Sequence, residues 1–166
     1  MTNRLPTLLT LLAAVGTLSL ALLRGSAAAP VQVPRKVGDF TLTDPRDGKS
    51  FSLASCKEKK AVVVLFLGTE CPINNAYLPR LAELHGKYSP QGVQFCAVNS
   101  NQQDDAARVA EHARKYAIPF PLLKDEGQKV ADQLGAKRTP EALLLSPAGE
   151  VLYQGRIDDQ YGIGYQ

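Results

Sequence analysis

AVVVLFLGTECP, residues 61 to 72, runs from seven apolar residues straight into a Gly-Thr-Glu-Cys-Pro turn. A continuous β-branched and aromatic run with no polar alternation predicts a strand buried on both faces, at the centre of a sheet covered by helices. Beyond the turn, Tyr77, Leu78, Leu81, Leu84 and Tyr88 recur at helical spacing until Pro90 and Gly92 stop the helix. A second apolar strand is read at Val93–Asn99. Asp104 or Asp105 then caps a helix through Tyr116 that turns Ala107, Val109, Ala110 and Ala113 inward and ends before Pro119 and Pro121. The order so far is βαβα.

Working outward, residues 40–42 and 51–53 flank Asp44-Pro45-Arg46-Asp47-Gly48 and read as a short hairpin. After residues 122–125 come a short helix at 128–134, a strand at Glu141–Leu145, a Ser-Pro-Ala-Gly turn and a strand at 150–155, the last two strands forming a second hairpin. A βαβ unit, a crossover helix and a terminal hairpin describe one α/β domain on a mixed sheet flanked by helices, with an N-terminal β-hairpin extension.

The chain has 166 residues, 45% hydrophobic and 21% charged, as expected for a folded globular protein. Its 19 basic residues include Arg4 and Arg24 near the N-terminus; the other 17 face 16 acidic ones, so no basic excess argues for nucleic acid. Arg4, the uncharged run 8–23 and Ser26-Ala27-Ala28-Ala29 have the layout of an export signal, assigned to residues 1–28 and followed by a linker at 29–36 and the domain at 37–166. The apolar run is shorter than the roughly 20 residues of a spanning helix, which favours a cleaved signal over an uncleaved membrane tether. The expected location is periplasmic or otherwise extracytoplasmic, and oxidising.

In that setting the three cysteines, Cys56, Cys71 and Cys96, leave at least one without an intramolecular partner. Cys71 is the candidate nucleophile. A thiol at a helix N-terminus faces unpaired backbone N–H groups and the positive end of the helix dipole, both of which favour the thiolate. Pro72 suits the first helical position, whereas the Glu70 carboxylate next door opposes a second negative charge. The competing reading is that Cys71 is a small buried residue and no more. Position 74 is Asn, so dithiol cycling of a Cys-x-x-Cys motif is excluded. Cys56 precedes the 61–67 strand that Cys71 follows, which separates the two by roughly 20 Å, beyond disulfide reach. Cys96, between Phe95 and Ala97, reads as core packing.

The segments FLGTECPINNAYLPRLAEL (66–84), VQFCAVNSN (93–101) and GAKRTPEALLLSPAGEVLYQGRIDD (135–159) together resemble the redoxin, or AhpC/TSA, branch of the thioredoxin fold over residues 37 to 159 or so. The resemblance implies a thioredoxin-like fold with Thr139-Pro140 as the cis-proline site facing Cys71, and assigns Pro140, Thr139 and Pro72 to substrate binding. Peroxiredoxins place Thr or Ser three residues before the reactive cysteine; here Gly68 stands there, and Thr69 has the spacing of the Thr-x-Cys-Pro turn of thioredoxin-fold copper chaperones. Arg138 resembles the arginine of bacterioferritin-comigratory-type peroxiredoxins, although a surface arginine at a turn is an equal reading. Copper binding would need a second cysteine at Asn75 and a placed histidine; His85 and His112 fall in helices, so no metal and no cofactor is expected. The fold also normally closes with a helix after the last strand, and residues 161–166 contain none, which suggests a piece of a longer protein.

The expectation is therefore a thiol oxidoreductase. Cys71 thiolate attacks a peroxide or a disulfide, Thr69 and Arg138 assist by hydrogen bonding, and an external thiol restores the enzyme. The alternatives are a monothiol disulfide reductase or isomerase, and a non-catalytic thioredoxin-fold domain that binds a partner polypeptide in the groove around Cys71 and Pro140.

Overall fold

A computed structural model describes residues 35–158, which fall within one compact unit. The predicted signal segment, most of the linker and the expected gap after the last strand lie outside the described residues. The elements are β1 (Thr41–Thr43), β2 (Ser50–Ser52), β3 (Ala61–Phe66), α1 (Pro72–Tyr88), β4 (Val93–Asn99), α2 (Ala106–Lys115), β5 (Leu122–Lys124), α3 (Lys129–Leu134), β6 (Glu141–Leu145) and β7 (Val151–Gly155). The strands form one mixed sheet in the order β2-β1-β5-β4-β3-β6-β7. The three parallel strands β3, β4 and β5 sit at its centre, and the remaining neighbours pair antiparallel.

β3 is central, as its composition predicts: it pairs parallel with β4, setting Val64 beside Cys96, and antiparallel with β6, setting Val64 beside Leu143. Its side chains alternate between two cores, which is why polar residues are missing from it. Val62, Val64 and Phe66 pack with Phe40, Leu53, Cys56, Cys96 and Leu134 on one face. Leu65 and Leu67 pack with Tyr77, Leu81, Val109 and Phe120, beneath α1 and α2, on the other. On that second face, next to β6 and β7, an apolar groove of about 350 Å³ runs between Val63, Leu84, Tyr88, Ala142, Leu144 and Tyr153. No helix among the described residues is long and apolar enough to cross a membrane.

One expectation, the inward face of α2, needs correction, and two further features were not read from the sequence. Residues 122–124 form a strand, which three residues are too few to announce by periodicity. The pairing comes from context: Asp44 is buried, its Oδ2 accepts the Leu122 N–H, and Arg46 bridges Asp44 to the Ile118 and Phe120 carbonyls. Ala107 is exposed on α2, and His112 takes an inward position instead. The end of the linker is tied down: the Arg35 carbonyl accepts the Val151 N–H, Lys36 bridges Glu150, and the Arg35 guanidinium caps the Leu134 carbonyl. Arg35 reaches that carbonyl beside Gly135, whose φ of 64° ends α3 in the left-handed conformation that glycine adopts without a Cβ clash.

Candidate active site

β3 delivers the chain to the carboxyl end of the central strands, where residues 67–70 turn it into α1. Each step of that turn is anchored. The Leu67 N–H donates to Val98 O (3.0 Å), and the Gly68 and Thr69 carbonyls accept from the Asn74 (2.9 Å) and Asn75 (3.4 Å) side chains of the first turn of α1. The Thr69 N–H and hydroxyl both donate to Asp104, at 3.1 and 2.6 Å. Cys71 is the N-cap residue with extended backbone (φ −76°, ψ 113°), and Pro72 opens the helix. Pro at the first helical position gives up only an N–H that no preceding turn could accept.

The three thiols occupy different worlds. Cys56 and Cys96 are buried in the core on one face of β3, and burial pushes both thiols up in pKa, Cys96 beyond the range that thiols titrate in. Cys71 is partly exposed, and its Sγ lies 3.8 Å from the carbonyl of Thr139. The Thr139-Pro140 bond is cis. Glu141 holds this loop from behind, accepting the Lys137 N–H (2.8 Å) and the Gln154 amide (3.1 Å). Glu70, expected to burden the thiolate, is paired with Arg108 of α2.

Thr69 is not the donor to Cys71 that its position suggested. Its hydroxyl hydrogen is given to the Asp104 carboxylate, so the oxygen faces any neighbour as an acceptor. Arg138 is exposed and lines a cavity with Thr139, the residue whose carbonyl meets Cys71; no hydrogen bond joins Arg138 to the thiol. Pro72 is exposed at the helix start, and Pro140 is half-buried.

A buried polar layer under the turn was not legible as a site in the sequence. Asp104, 1% exposed, accepts from Asn99 (2.7 Å) and Asn101 (3.1 Å) as well as from Thr69. Burial raises its pKa, but the hydrogen bonds from Asn99, Thr69 and Asn101 outweigh this and leave the carboxyl below its ordinary value. The buried Lys124 donates to Asn101 O at 2.7 Å. His112 Nε2 meets Asn75 Oδ1 at 2.8 Å, and burial holds the imidazole below its usual pKa. The one sequence signal was the density of Asn and Asp at 99–105, directly after a central strand.

Over this geometry, the sequence model of the AhpC/TSA family matches residues 33–154. The chain belongs to the AhpC/TSA family. Among relatives, the thiol-disulfide oxidoreductase ResA of Halalkalibacterium halodurans is 33% identical over 114 residues, 69% of this chain and 62% of that protein. The chain thus spans less than two thirds of that relative's length. A chloroplastic peroxiredoxin Q of Triticum aestivum is 35% identical over 58% of this chain and 43% of its own. A hypothetical protein of Sinorhizobium meliloti 1021 superposes with a TM-score of 0.74 at 32% identity, covering 83% of this chain and 78% of its own. The fold of this AhpC/TSA protein is thioredoxin-like.

Proposed function

We propose that this AhpC/TSA protein is an extracytoplasmic thiol oxidoreductase that works through the single thiol of Cys71. The observation that carries the reading is the contrast among its cysteines: one partly exposed residue at a helix N-cap beside a cis-proline loop, and two buried in the core. Asn74 occupies the position where a Cys-x-x-Cys protein carries its second thiol, and it spends its amide on Gly68 O. The thiol that resolves the intermediate therefore comes from outside.

Between the two oxidants, the geometry favours a disulfide. Heterolysis of a peroxide needs donors on both oxygens, and the Thr69 hydroxyl hydrogen is committed to Asp104. Disulfide exchange needs only an accessible thiolate and a good leaving group. Cys71 S⁻ attacks one sulfur of R–S–S–R′, forming Cys71–S–S–R and expelling R′–S⁻. A second thiolate attacks the mixed disulfide, regenerates Cys71 S⁻ and leaves with R as a new disulfide. The deciding experiment mixes the reduced chain with hydrogen peroxide and, separately, with a small disulfide, following oxidation by stopped flow and mapping the adduct by mass spectrometry. Fast mixed-disulfide formation at Cys71 with slow peroxide consumption is expected. Fast sulfenate formation at Cys71 would make the protein a peroxidase instead, and no reaction at Cys71 with either oxidant would leave a partner-binding domain.

A further inference from the structure

Two polar cavities differ in charge: one is lined by Thr69 and Glu70 of the Cys71 turn, and the other reaches that turn through Thr139. The one on the α2 side, about 310 Å³, contains Glu70 and Glu111 as well as Arg108 and Lys115, so its charges balance. The one on the side of the cis-proline loop, about 200 Å³, is bounded by Ser100 and Asn101 after β4, Gln128 before α3, and Lys137, Arg138 and Thr139. Its ionisable lining residues are both cations. Both are exposed, and among the described residues neither side chain has a carboxylate partner. The buried carboxylates behind it are already engaged: Asp104 by Thr69, Asn99 and Asn101, Asp125 by Ser100 and the N–H groups of Val130 and Ala131, Glu141 by Lys137 N and Gln154. Thr139 belongs to this cavity and to the thiol, since its carbonyl lies against Cys71 Sγ.

Asn101 is the fixed point of the cavity. Its N–H donates to Asn99 Oδ1 (3.2 Å), its carbonyl receives Lys124 Nζ (2.7 Å), and one amide hydrogen goes to Asp104 (3.1 Å). The other amide hydrogen has no partner among the described residues. The chain makes room for this carboxamide: a Cβ at position 68 would lie 2.5 Å from Asn101 Nδ2. Gly68 is not among the glycines with positive φ, so its backbone would accept a side chain. A side chain there would have to push the Asn101 carboxamide aside. A donor held this firmly loses little entropy on binding.

We propose that this cavity seats a carboxylate of the small-molecule disulfide that reacts at Cys71, with the free amide hydrogen of Asn101 as its anchor and Arg138 and Lys137 as its counter-charges. The proposal rests on the disulfide-exchange reading above and names the substrate class for it: disulfides of compact, carboxylated thiols. Oxygen acceptors with negative charge take the strongest hydrogen bonds from such donors, and unpaired cations at the mouth raise the encounter rate with anions.

The test compares the rates at which reduced chain reacts with dithiodipropionate (carboxylate), bis-hydroxyethyl disulfide (neutral) and cystamine (ammonium). Each rate is divided by that probe's rate with free N-acetylcysteine, so that intrinsic reactivity cancels. The expected order is carboxylate, neutral, ammonium, with about tenfold between the first two, shrinking as salt is added. Asn101→Ala reduces that preference and Asn101→Asp inverts it. Gly68→Ala, which drives the carboxamide out, reproduces Asn101→Ala, and the double variant is no worse than either alone. If Gly68→Ala does not fold, the two Asn101 variants still decide. Equal normalised rates for the three probes, or a preference untouched by Asn101→Ala and Asn101→Asp, would overturn the carboxylate site while leaving Cys71 chemistry standing. Failure of every probe to label Cys71 would overturn both.

Discussion

Cys71 caps the helix that follows β3 and Cys96 lies inside the neighbouring strand β4, yet the chain treats the same side chain in opposite ways. Cys96 lies inside β4, opposite Val64, with no accessible surface. Desolvation disfavours its thiolate, so it behaves as a small hydrophobe. Cys71 lies where a strand has just ended and a helix has just begun, and there the backbone supplies unpaired N–H groups and the solvent supplies access. Position in the fold thus sets the two thiols apart, and the polar layer of Asn99, Asn101 and Asp104 ties down Thr69 in the turn that leads to Cys71.

The largest expected break in this comparison is chemical. Cys71→Ser abolishes mixed-disulfide formation, leaving less than about a thousandth of the rate, because a serine hydroxyl at neutral pH is a negligible nucleophile. Cys96→Ser leaves the reaction at Cys71 in place and instead costs about 1–3 kcal/mol of stability through a buried hydroxyl, read as a lower urea midpoint. Reaction of native protein at Cys96, seen as an adduct on its peptide without denaturant, would contradict the division.

A smaller effect tests the polar layer. Asp104→Asn removes the carboxylate that takes Thr69, Asn99 and Asn101 together, and leaves amide hydrogens facing amide hydrogens; a loss of about 2–3 kcal/mol is expected. The same carboxyl gives a pH signature. Its folded pKa is below the ordinary 3.8, so its contribution to stability is fully present above that value and is lost as the pH falls through the folded pKa. The slope of stability against pH in the acid range becomes shallower in Asp104→Asn. A variant as stable as the parent, with an unchanged acid slope, would mean that the turn is held by α1 alone.

Much of the fold, and the helix start at which Cys71 sits, were legible in the sequence. β3 announced itself because burial on both faces leaves no polar residue in it, and Cys71-Pro72 marked a helix start because proline tolerates only a few helical positions. What escaped was non-local. β5 is a strand through its pairing with β4 and β1 rather than through its three residues. Thr69 was assigned a donor role from spacing along the chain, and the partner that claims its hydrogen, Asp104, is 35 residues away. Gly68 looked like a missing residue, although it is the space that Asn101 fills. Hydrogen-bond direction and side-chain volume are settled in three dimensions, and a linear pattern carries little trace of either.

His112 supplies the most delicate test, because it ties α2 to the first turn of α1 without touching sulfur. The Asn75 amide donates to Thr69 O, which turns Asn75 Oδ1 toward the imidazole, so Nε2 carries the hydrogen between them. Nδ1 is buried with no partner among the described residues, and a proton there would be a donor with nothing to accept it. Burial therefore dominates over the attraction of Asp104 and keeps the folded pKa below the ordinary 6.5. With the folded value lowered, the unfolded chain takes up the proton first. Stability is greatest above the unfolded pKa and is lost as the pH falls below 6.5 toward the folded value. His112→Gln keeps a donor for Asn75 and removes the titration, so urea midpoints measured at about pH 5 and about pH 8 should differ less in the variant than in the parent. If the parent shows no such difference, His112 is protonated as easily folded as unfolded, and the link between α2 and the Cys71 turn is looser than this hydrogen bond implies.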